Sequence, residues 1–348
     1  YIVFVLVLVS GKGLFAQTYG DEWIDYNKSY FKISVAQEGI YRITFSDLVN
    51  AGFPVSSVDP RRIQLFHRGT EQAILVSGQG DAVFNTSDFI EFYGVKNDGT
   101  LDAELYQPAS AQPHQFYNLY SDSTSYFLTY NLTSTNGKRM DTFSENNVGG
   151  LPAETSHIQD EILLNVDQYS PGQSFNSGDV TKYTFFDFGE GWTSPQFQEN
   201  EFLSQSITGI NNQVTTDGNP QLEVLLVGRD NVTHQAEIEV GPNTASLRSL
   251  GTLNFDDYES AVFSSPINWT DIDGAGDLVV RVRALGFNSG NDRISVSYVR
   301  LKYNQNFDAA LSGNKKFNLK SNGNNKSYVE ITTAPAAPRL YDVTDKDN

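Results

Sequence analysis

Three aspartates spaced around glycines make up the segment of this sequence that comes nearest to a metal-binding loop. The segment is Asp271-Ile-Asp273-Gly-Ala-Gly-Asp277, in which the carboxylates are two and four residues apart. Carboxylate oxygens on a loop are the ligands that Ca²⁺ prefers, but the distal bidentate glutamate of an EF-hand is missing. Acidic, glycine-rich hairpin turns also occur without a metal. Asp271, Asp273 and Asp277 are therefore a candidate calcium site, with a metal-free turn as the alternative.

A second segment, Gly189-Glu190-Gly191-Trp192, places a carboxylate between two glycines and directly before a tryptophan. Such a segment predicts a tight turn after a strand, because glycine adopts positive φ without strain. In a functional interpretation, Glu190 and Trp192 form a platform for a sugar ring. In a structural interpretation, which we favour, Trp192 covers the end of a β-sandwich core.

No catalytic residue can be assigned from the sequence. The chain of 348 residues contains no cysteine, so a thiolate nucleophile and a disulfide are excluded within it. The four histidines, His67, His114, His157 and His234, are scattered, and no two have the spacing of metal ligands, which argues against a zinc site. No cofactor other than calcium is suggested. The net charge of −18 argues against binding to nucleic acid, whose phosphates require basic patches.

Residues 1–16 predict export. Tyr1 to Val9 are almost wholly apolar, and the run is shorter than the about 20 residues needed to cross a bilayer. We expect it to be the apolar region of a signal peptide that lacks its basic start and is cleaved after Ala16; a buried strand is the alternative. The mature chain is then expected to lack a transmembrane helix and to lie in the periplasm, at the outer-membrane surface or outside the cell.

The alternation of apolar and polar residues predicts an all-β protein. Residues 17–140 are expected to form a small β domain with one short helix. Within it, Tyr30–Val35 and Ile40–Thr44 alternate with period two and predict a hairpin, because Glu38-Gly39 lies between them. Ser46 is expected to cap the helix.

The second half predicts an antiparallel β-sandwich of the jelly-roll type over residues 153–334. Its alternating segments include Lys182–Phe186, Gln221–Val227 and Arg293–Lys302. Residues 141–152 lack periodicity and predict a linker. Residues 335–348, which begin with Pro335-Ala-Ala-Pro338, predict a stiff linker and the first strand of a further domain.

Ten short motifs, in this order and spacing, resemble the N-terminal region of gingipain-like, family C25 cysteine peptidases, and above all the PorU-type sortases of the Bacteroidetes type IX secretion system and their paralogues. The motifs are Tyr30–Val35, Glu38–Ile43, Asp47–Leu48, Ala51–Gly52, Ile63–Phe66 with Gly69, Asp88–Gly94, Asn97–Gly99, Tyr126–Thr129, Gly189–Trp192 and Tyr341–Asp345. The sortases tend to carry a Gly-Arg-Asn-Trp type of motif where this chain has Gly189–Trp192, which indicates a paralogue.

The resemblance implies that this chain holds a propeptide-like first domain and a sandwich, and that a peptidase domain with a catalytic Cys and His follows them. Neither catalytic residue can be assigned to a position of this chain, which has no cysteine. The chain would be a noncatalytic region that folds, shields or docks the downstream peptidase domain, its expected partner together with outer-membrane secretion components. The alternative is a carbohydrate-binding or adhesin module that uses exposed aromatics such as Trp192, Trp269 and Tyr258.

Overall fold

A computed structural model describes residues 20–144, 147, 149–176, 183–287, 292–309, 314–323 and 326–345. These residues form several antiparallel sheets and two short helices, which confirms the all-β prediction. The predicted signal peptide, residues 1–16, lies outside the described residues. Among the residues that the structure describes, no helix is both long and apolar enough to span a bilayer.

The chain divides into two compact units, one from residues 20–95, 123–142 and 342–345 and the other from 96–122 and 143–341. The predicted first domain, residues 17–140, includes residues 96–122, which the structure groups with the second unit instead. Residues 96–122 follow one strand of the first unit and precede the next strand of that unit. A division of the sequence into continuous segments therefore could not assign them to the second unit.

Seven strands and one helix build the first unit: β1 Phe31–Val35, β2 Gly39–Thr44, α1 Phe45–Asn50, β3 Ile63–His67, β4 Thr70–Gln72, β5 Leu75–Val76, β6 Phe89–Gly94 and β7 Thr124–Tyr130. One sheet has the strand order β1-β7-β3-β4, and the other has the order β2-β6-β5. The predicted hairpin of β1 with β2 is therefore wrong. Period-two alternation specifies the buried face of a strand, whereas the partner strand depends on distant residues.

Helix α1 begins two residues earlier than predicted because its N-cap is Thr44 and not Ser46. The hydroxyl of Thr44 accepts a hydrogen bond from the Asp47 amide at 3.2 Å, and the Asp47 carboxylate accepts one from the Thr44 amide at 2.8 Å. This reciprocal pair is a capping box. Leu48 points into the first core, which also contains Val35, Ile63, Leu65, Ile74, Ile90, Phe92, Tyr126 and Leu128.

Eleven strands and one helix lie in the second unit: β8 His157–Leu164, β9 Gln168–Pro171, α2 Gly172–Asn176, β10 Glu190–Thr193, β11 Phe197–Gln198, β12 Phe202–Ile207, β13 Gln221–Gly228, β14 Thr233–Gly241, β15 Arg248–Asp256, β16 Ser260–Pro266, β17 Leu278–Ala284 and β18 Arg293–Gln305. In one sheet, β18 lies between β13 and the two strands β8 and β11, and β16 forms the edge beyond β13. The second sheet has the order β12-β17-β14-β15, and β9 pairs with β10 separately.

The two large sheets of the second unit share one core, as a β-sandwich requires. Apolar side chains alternate inward along each strand, and the buried set includes Leu222, Val224, Leu226, Ile238, Val240, Val280, Val282, Ile294, Val296 and Leu301. Of the predicted strand Lys182–Phe186, the described residues 183–186 form no strand. Lys182 lies outside the described residues, and Phe186 makes only a single bridge, to Tyr106. Residues 335–345 contain no strand.

Candidate functional site

The Gly189–Trp192 segment enters strand β10 of the second unit, which pairs with β9 from Glu190 opposite Pro171 to Thr193 opposite Gln168. Gly191 has φ +139°, and a Cβ there would lie 2.8 Å from the hydroxyl of Tyr117. The close approach of Tyr117 therefore requires glycine at this position.

Glu190 is buried, and its carboxylate accepts a hydrogen bond from the Tyr169 hydroxyl at 2.7 Å and one from the Asp187 amide at 3.3 Å. Burial, and then the bond to the Glu190 carboxylate, raise the pKa of Tyr169 above its ordinary value. The backbone carbonyl of Glu190 accepts a bond from Tyr106 at 3.1 Å. The Glu190 carboxylate therefore supports the local fold and does not point to solvent as a sugar platform would require.

Trp192 is half-buried and is held on several sides. Its backbone amide donates to the Tyr117 hydroxyl at 2.9 Å, and its indole Nε1 donates to the carbonyl of Leu119 at 3.3 Å. Its ring meets that of Tyr169 edge-on, with the ring centres 5.3 Å apart. These contacts are those of a packing residue. Trp192 packs against a small separate cluster that contains Tyr106, Ala111, Tyr117 and Leu119, and not against the sandwich core whose end it was expected to cover.

Arg229, immediately after β13, forms hydrogen bonds that connect the Gly189–Trp192 segment and Thr193 to the sandwich. Its Nη1 donates to the carbonyl of Gly189 at 3.1 Å, and its Nη2 donates to the hydroxyl of Thr193 at 2.5 Å. Burial lowers the pKa of Arg229 to about 10. Nothing in the sequence pattern had indicated this contact, since 40 residues separate Arg229 from Gly189.

Tyr258 and Trp269, the other two aromatic residues proposed to bind carbohydrate, are also packed within the protein. Tyr258 is buried, so the expectation that it is exposed is wrong. Trp269 is half-buried, its Nε1 donates to the carbonyl of Gly218 at 3.0 Å, and its ring packs edge-on against Tyr303. Within the described residues, Trp192, Trp269 and Tyr258 thus provide no flat exposed aromatic surface.

Two of the three aspartates of the candidate calcium site, Asp271 and Asp273, use their carboxylates for other contacts. Asp271 accepts two hydrogen bonds from the Arg248 guanidinium, at 2.8 and 2.6 Å, and one from the Asn268 amide at 2.7 Å. The carboxylate of Asp273 accepts from the amides of Ala275 and Asp277 at 2.8 and 2.9 Å, which closes the turn. The structure therefore accounts for Asp271 and Asp273 by an ion pair and a turn, and it does not gather them with Asp277 into a cluster of ligands.

A different cluster, which sequence spacing did not reveal, brings together Asp230, His234 and Asp292. Asp230 lies in the turn between β13 and β14, His234 is the second residue of β14, and Asp292 directly precedes β18. The His234 Nδ1 atom is 2.5 Å from Oδ1 of Asp292 and 3.8 Å from Oδ1 of Asp230. His234 Nε2 lies 2.7 Å from the backbone carbonyl of Asp257.

The cluster is enclosed, with no exposure of the side chains of His234 and Asp292. Burial acts against a charged imidazole, but the bonds to Asp292 and Asp257 and the nearby carboxylates outweigh it, so the pKa of His234 is raised. The sequence contained one usable signal, a histidine four residues after an aspartate at a strand end. Asp292 comes from 58 residues away, so spacing could not have supplied it.

No protein-family model and no curated protein matches the sequence. Among solved structures, the chain is similar to dimeric latent PorU from Porphyromonas gingivalis, with 15% sequence identity and a TM-score of 0.52. That match covers 83% of this chain and 25% of PorU, so the chain spans about a quarter of that protein. At this identity the likeness shows a shared fold.

Weaker matches involve carbohydrate-binding modules. The module CBM36 in complex with calcium and xylotriose is 18% identical with a TM-score of 0.22, and it covers 30% of this chain and 77% of that module. The structure of TmCBM61 in complex with β-1,4-galactotriose is 10% identical with a TM-score of 0.22, and the match covers 42% of this chain and 86% of TmCBM61. Similarity at this level carries no functional argument.

Proposed function

We propose that this chain is a noncatalytic β region of a PorU-like, gingipain-like cysteine peptidase homologue. It assists the folding, shielding or docking of the peptidase domain that follows it in the same protein. The observation that carries the proposal is the fold likeness, which extends over 83% of this chain but only 25% of latent PorU. A region of that extent leaves room for the remaining domains in the parent protein.

The environments of the histidines support a noncatalytic role. His157 and His234 are fully buried, and His67 is bonded to Thr124 through Nε2 at 2.9 Å. His114 accepts a bond from the Phe116 amide on Nδ1 at 3.0 Å and meets the Ser297 hydroxyl through Nε2 at 2.9 Å. Each imidazole is therefore buried or bonded to a neighbouring residue, whereas a general base must reach a substrate proton.

We further propose that the protein is exported, with residues 1–16 as its signal peptide and residues 141–152 as the linker between its domains. The support is the apolar run before Gly11, the net charge of −18 and the absence of cysteine. Outer-membrane secretion components are then the proposed partners outside the chain, and the periplasm or the cell surface is the proposed location.

Peptide mapping of the natural full-length protein tests the proposal. An antibody raised against this region isolates the protein from the source organism, and mass spectrometry of its peptides identifies the rest of the polypeptide. We expect peptides from a domain that contains a catalytic Cys and His. A polypeptide that joins this region to a glycoside hydrolase, with binding of xylan or galactan by the natural protein, would favour the carbohydrate-binding alternative and reject the proposal.

A further inference from the structure

We propose that Asp230, His234 and Asp292 bind a divalent transition-metal cation of the Zn²⁺ class, which ties the β13–β14 turn to the start of β18. The three donor atoms lie within 4.8 Å of one another. They come from distant parts of the sequence that meet where the end of β13 pairs with the start of β18, Gly228 opposite Ile294. A shared ion would therefore add a link between the β13–β14 turn and the start of β18 beyond the backbone hydrogen bonds of the sheet.

The orientation of the His234 ring points its free lone pair at the two carboxylates. Nε2 faces a backbone carbonyl, that of Asp257, at 2.7 Å, and a carbonyl can only accept, so Nε2 carries the proton. In the neutral ring Nδ1 is then an acceptor. It faces another acceptor, Oδ1 of Asp292, at 2.5 Å, and this contact requires a proton or a cation between the two atoms.

The second carboxylate distinguishes a cation from a proton. Asp230 is only 8% exposed, and its Oδ1 atom is buried without a hydrogen-bond partner among the described residues. A proton on Nδ1 would satisfy Asp292 but would leave this oxygen, 3.8 Å from Nδ1, without a donor. A metal ion satisfies all three atoms, and buried polar atoms are nearly always satisfied.

Each proposed ligand is also fixed from its far side, as metal ligands usually are. Oδ2 of Asp230 accepts from Arg293 Nε at 3.0 Å, and Oδ2 of Asp292 accepts from the Gln235 amide at 3.0 Å. Gly228 leaves the space for the imidazole, because a Cβ there would lie 2.5 Å from Nε2 of His234. These far-side contacts leave Oδ1 of Asp230, Oδ1 of Asp292 and Nδ1 of His234 facing one another.

The donor set selects the class of metal. One imidazole nitrogen with two carboxylates suits Zn²⁺ and similar transition metals, whereas Ca²⁺ and Mg²⁺ prefer oxygen ligands alone. Zn²⁺ bonds of about 2.0–2.2 Å place neighbouring ligand atoms roughly 3 Å apart, so coordination also relieves the contact between His234 and Asp292.

Zinc titration of the chelator-treated, dialysed full chain tests the proposal. By isothermal calorimetry we expect one equivalent of bound Zn²⁺, together with a rise in melting temperature that Ca²⁺ and Mg²⁺ do not produce. The Asp230→Asn variant should bind at least about ten-fold more weakly, while its melting temperature in chelator stays near that of the unaltered chain. Asp256→Asn, which alters an exposed aspartate outside the cluster, is the matched control and should bind normally.

Absence of stoichiometric Zn²⁺ binding by the unaltered chain, or unchanged affinity in Asp230→Asn, overturns the proposal and leaves a protonated His234 as the explanation. Substitution with Co²⁺ provides a readout that depends on no variant. The strong visible absorption of a tetrahedral nitrogen- and oxygen-ligated Co²⁺ ion is expected, and a spectrum identical to hydrated Co²⁺ contradicts the site.

Discussion

We expect His157 to make the second unit sensitive to acid. It is the first residue of β8 and is fully buried, with its ring centre 5.4 Å from that of Phe307 and 5.0 Å from that of Phe317. Neither ring nitrogen makes a hydrogen bond of good geometry to a described residue, although the backbones of Ile158 and Asn306 and the side chain of Gln305 lie near enough to oppose the effect of burial weakly. Burial, aided by the charge of Lys315, lowers the pKa of His157 to about 4.

The stability of the second unit depends on pH because the folded and unfolded chains protonate His157 at different pH values. The unfolded chain protonates His157 near its ordinary pKa of about 6.5, whereas the native state resists protonation until about pH 4. The contribution to stability is therefore complete above pH 6.5 and is lost as the pH falls from 6.5 towards 4. At about 1.4 kcal/mol per pH unit, a decrease from pH 7 to pH 5 costs about 2 kcal/mol.

The change His157→Phe removes this titration and keeps an aromatic ring of similar shape. We expect the variant to be more stable than the unaltered chain at pH 7, because two unpaired buried nitrogens disappear. The gain at pH 5 should be larger still, by about 2 kcal/mol.

Urea unfolding at both pH values, followed by tryptophan fluorescence in a Trp23→Phe background, reports the second unit, which contains Trp192 and Trp269. His67→Gln, in the first unit, is the control and should leave that transition unchanged. An equal gain for His157→Phe at pH 7 and pH 5 would refute the argument, since it would show that the ring does not titrate differently on folding.

Three further outcomes are expected. Gly191→Ala should lower the stability of the second unit by about 1–3 kcal/mol, whereas Gly274→Ala, at a glycine with open space around it, should change it by less than about 0.5 kcal/mol; equal thermal shifts would contradict the packing described. Asp271→Asn should lower the free energy of unfolding in urea by about 1–3 kcal/mol, because Arg248 loses its bidentate partner. Ca²⁺ at about 1 mM, the range in which extracellular calcium modules bind, should not raise the melting temperature of the unaltered chain. A calcium-dependent rise would restore the calcium site. Limited proteolysis should cut first within residues 141–152, and earlier cleavage inside β13 would argue against a linker there.

The long sandwich strands could be predicted because burial on one side imposes a period of two. The prediction over Gln221–Val227 differs from β13 by one residue, and Arg293–Lys302 falls within β18. The partners of strands could not be predicted in the same way. Ile40–Thr44 was paired with its neighbour in sequence, but the structure pairs β2 with β6, since the alternation fixes a face and contains no information on register or partner.

The polar clusters depended even more on tertiary structure. Asp271 and Asp273 had the right residue types and a close spacing, but Arg248 and three backbone amides occupy their carboxylates. Asp230 and Asp292 had no such pattern and meet only because the ends of β13 and β18 adjoin in one sheet. Local spacing is informative for ligands on one loop and gives little information on ligands from separate strands.

Deletion of this region from the full-length protein tests the central claim most directly. The natural gene is expressed in its own host with the signal peptide retained and residues 20–341 removed, beside a control in which an unrelated β-sandwich of similar length replaces them. We expect both altered proteins to lose soluble yield, thermal stability or regulated peptidase activity relative to the intact protein. Equal yield, melting temperature and activity in all three would contradict the account and would reduce the region to a spacer.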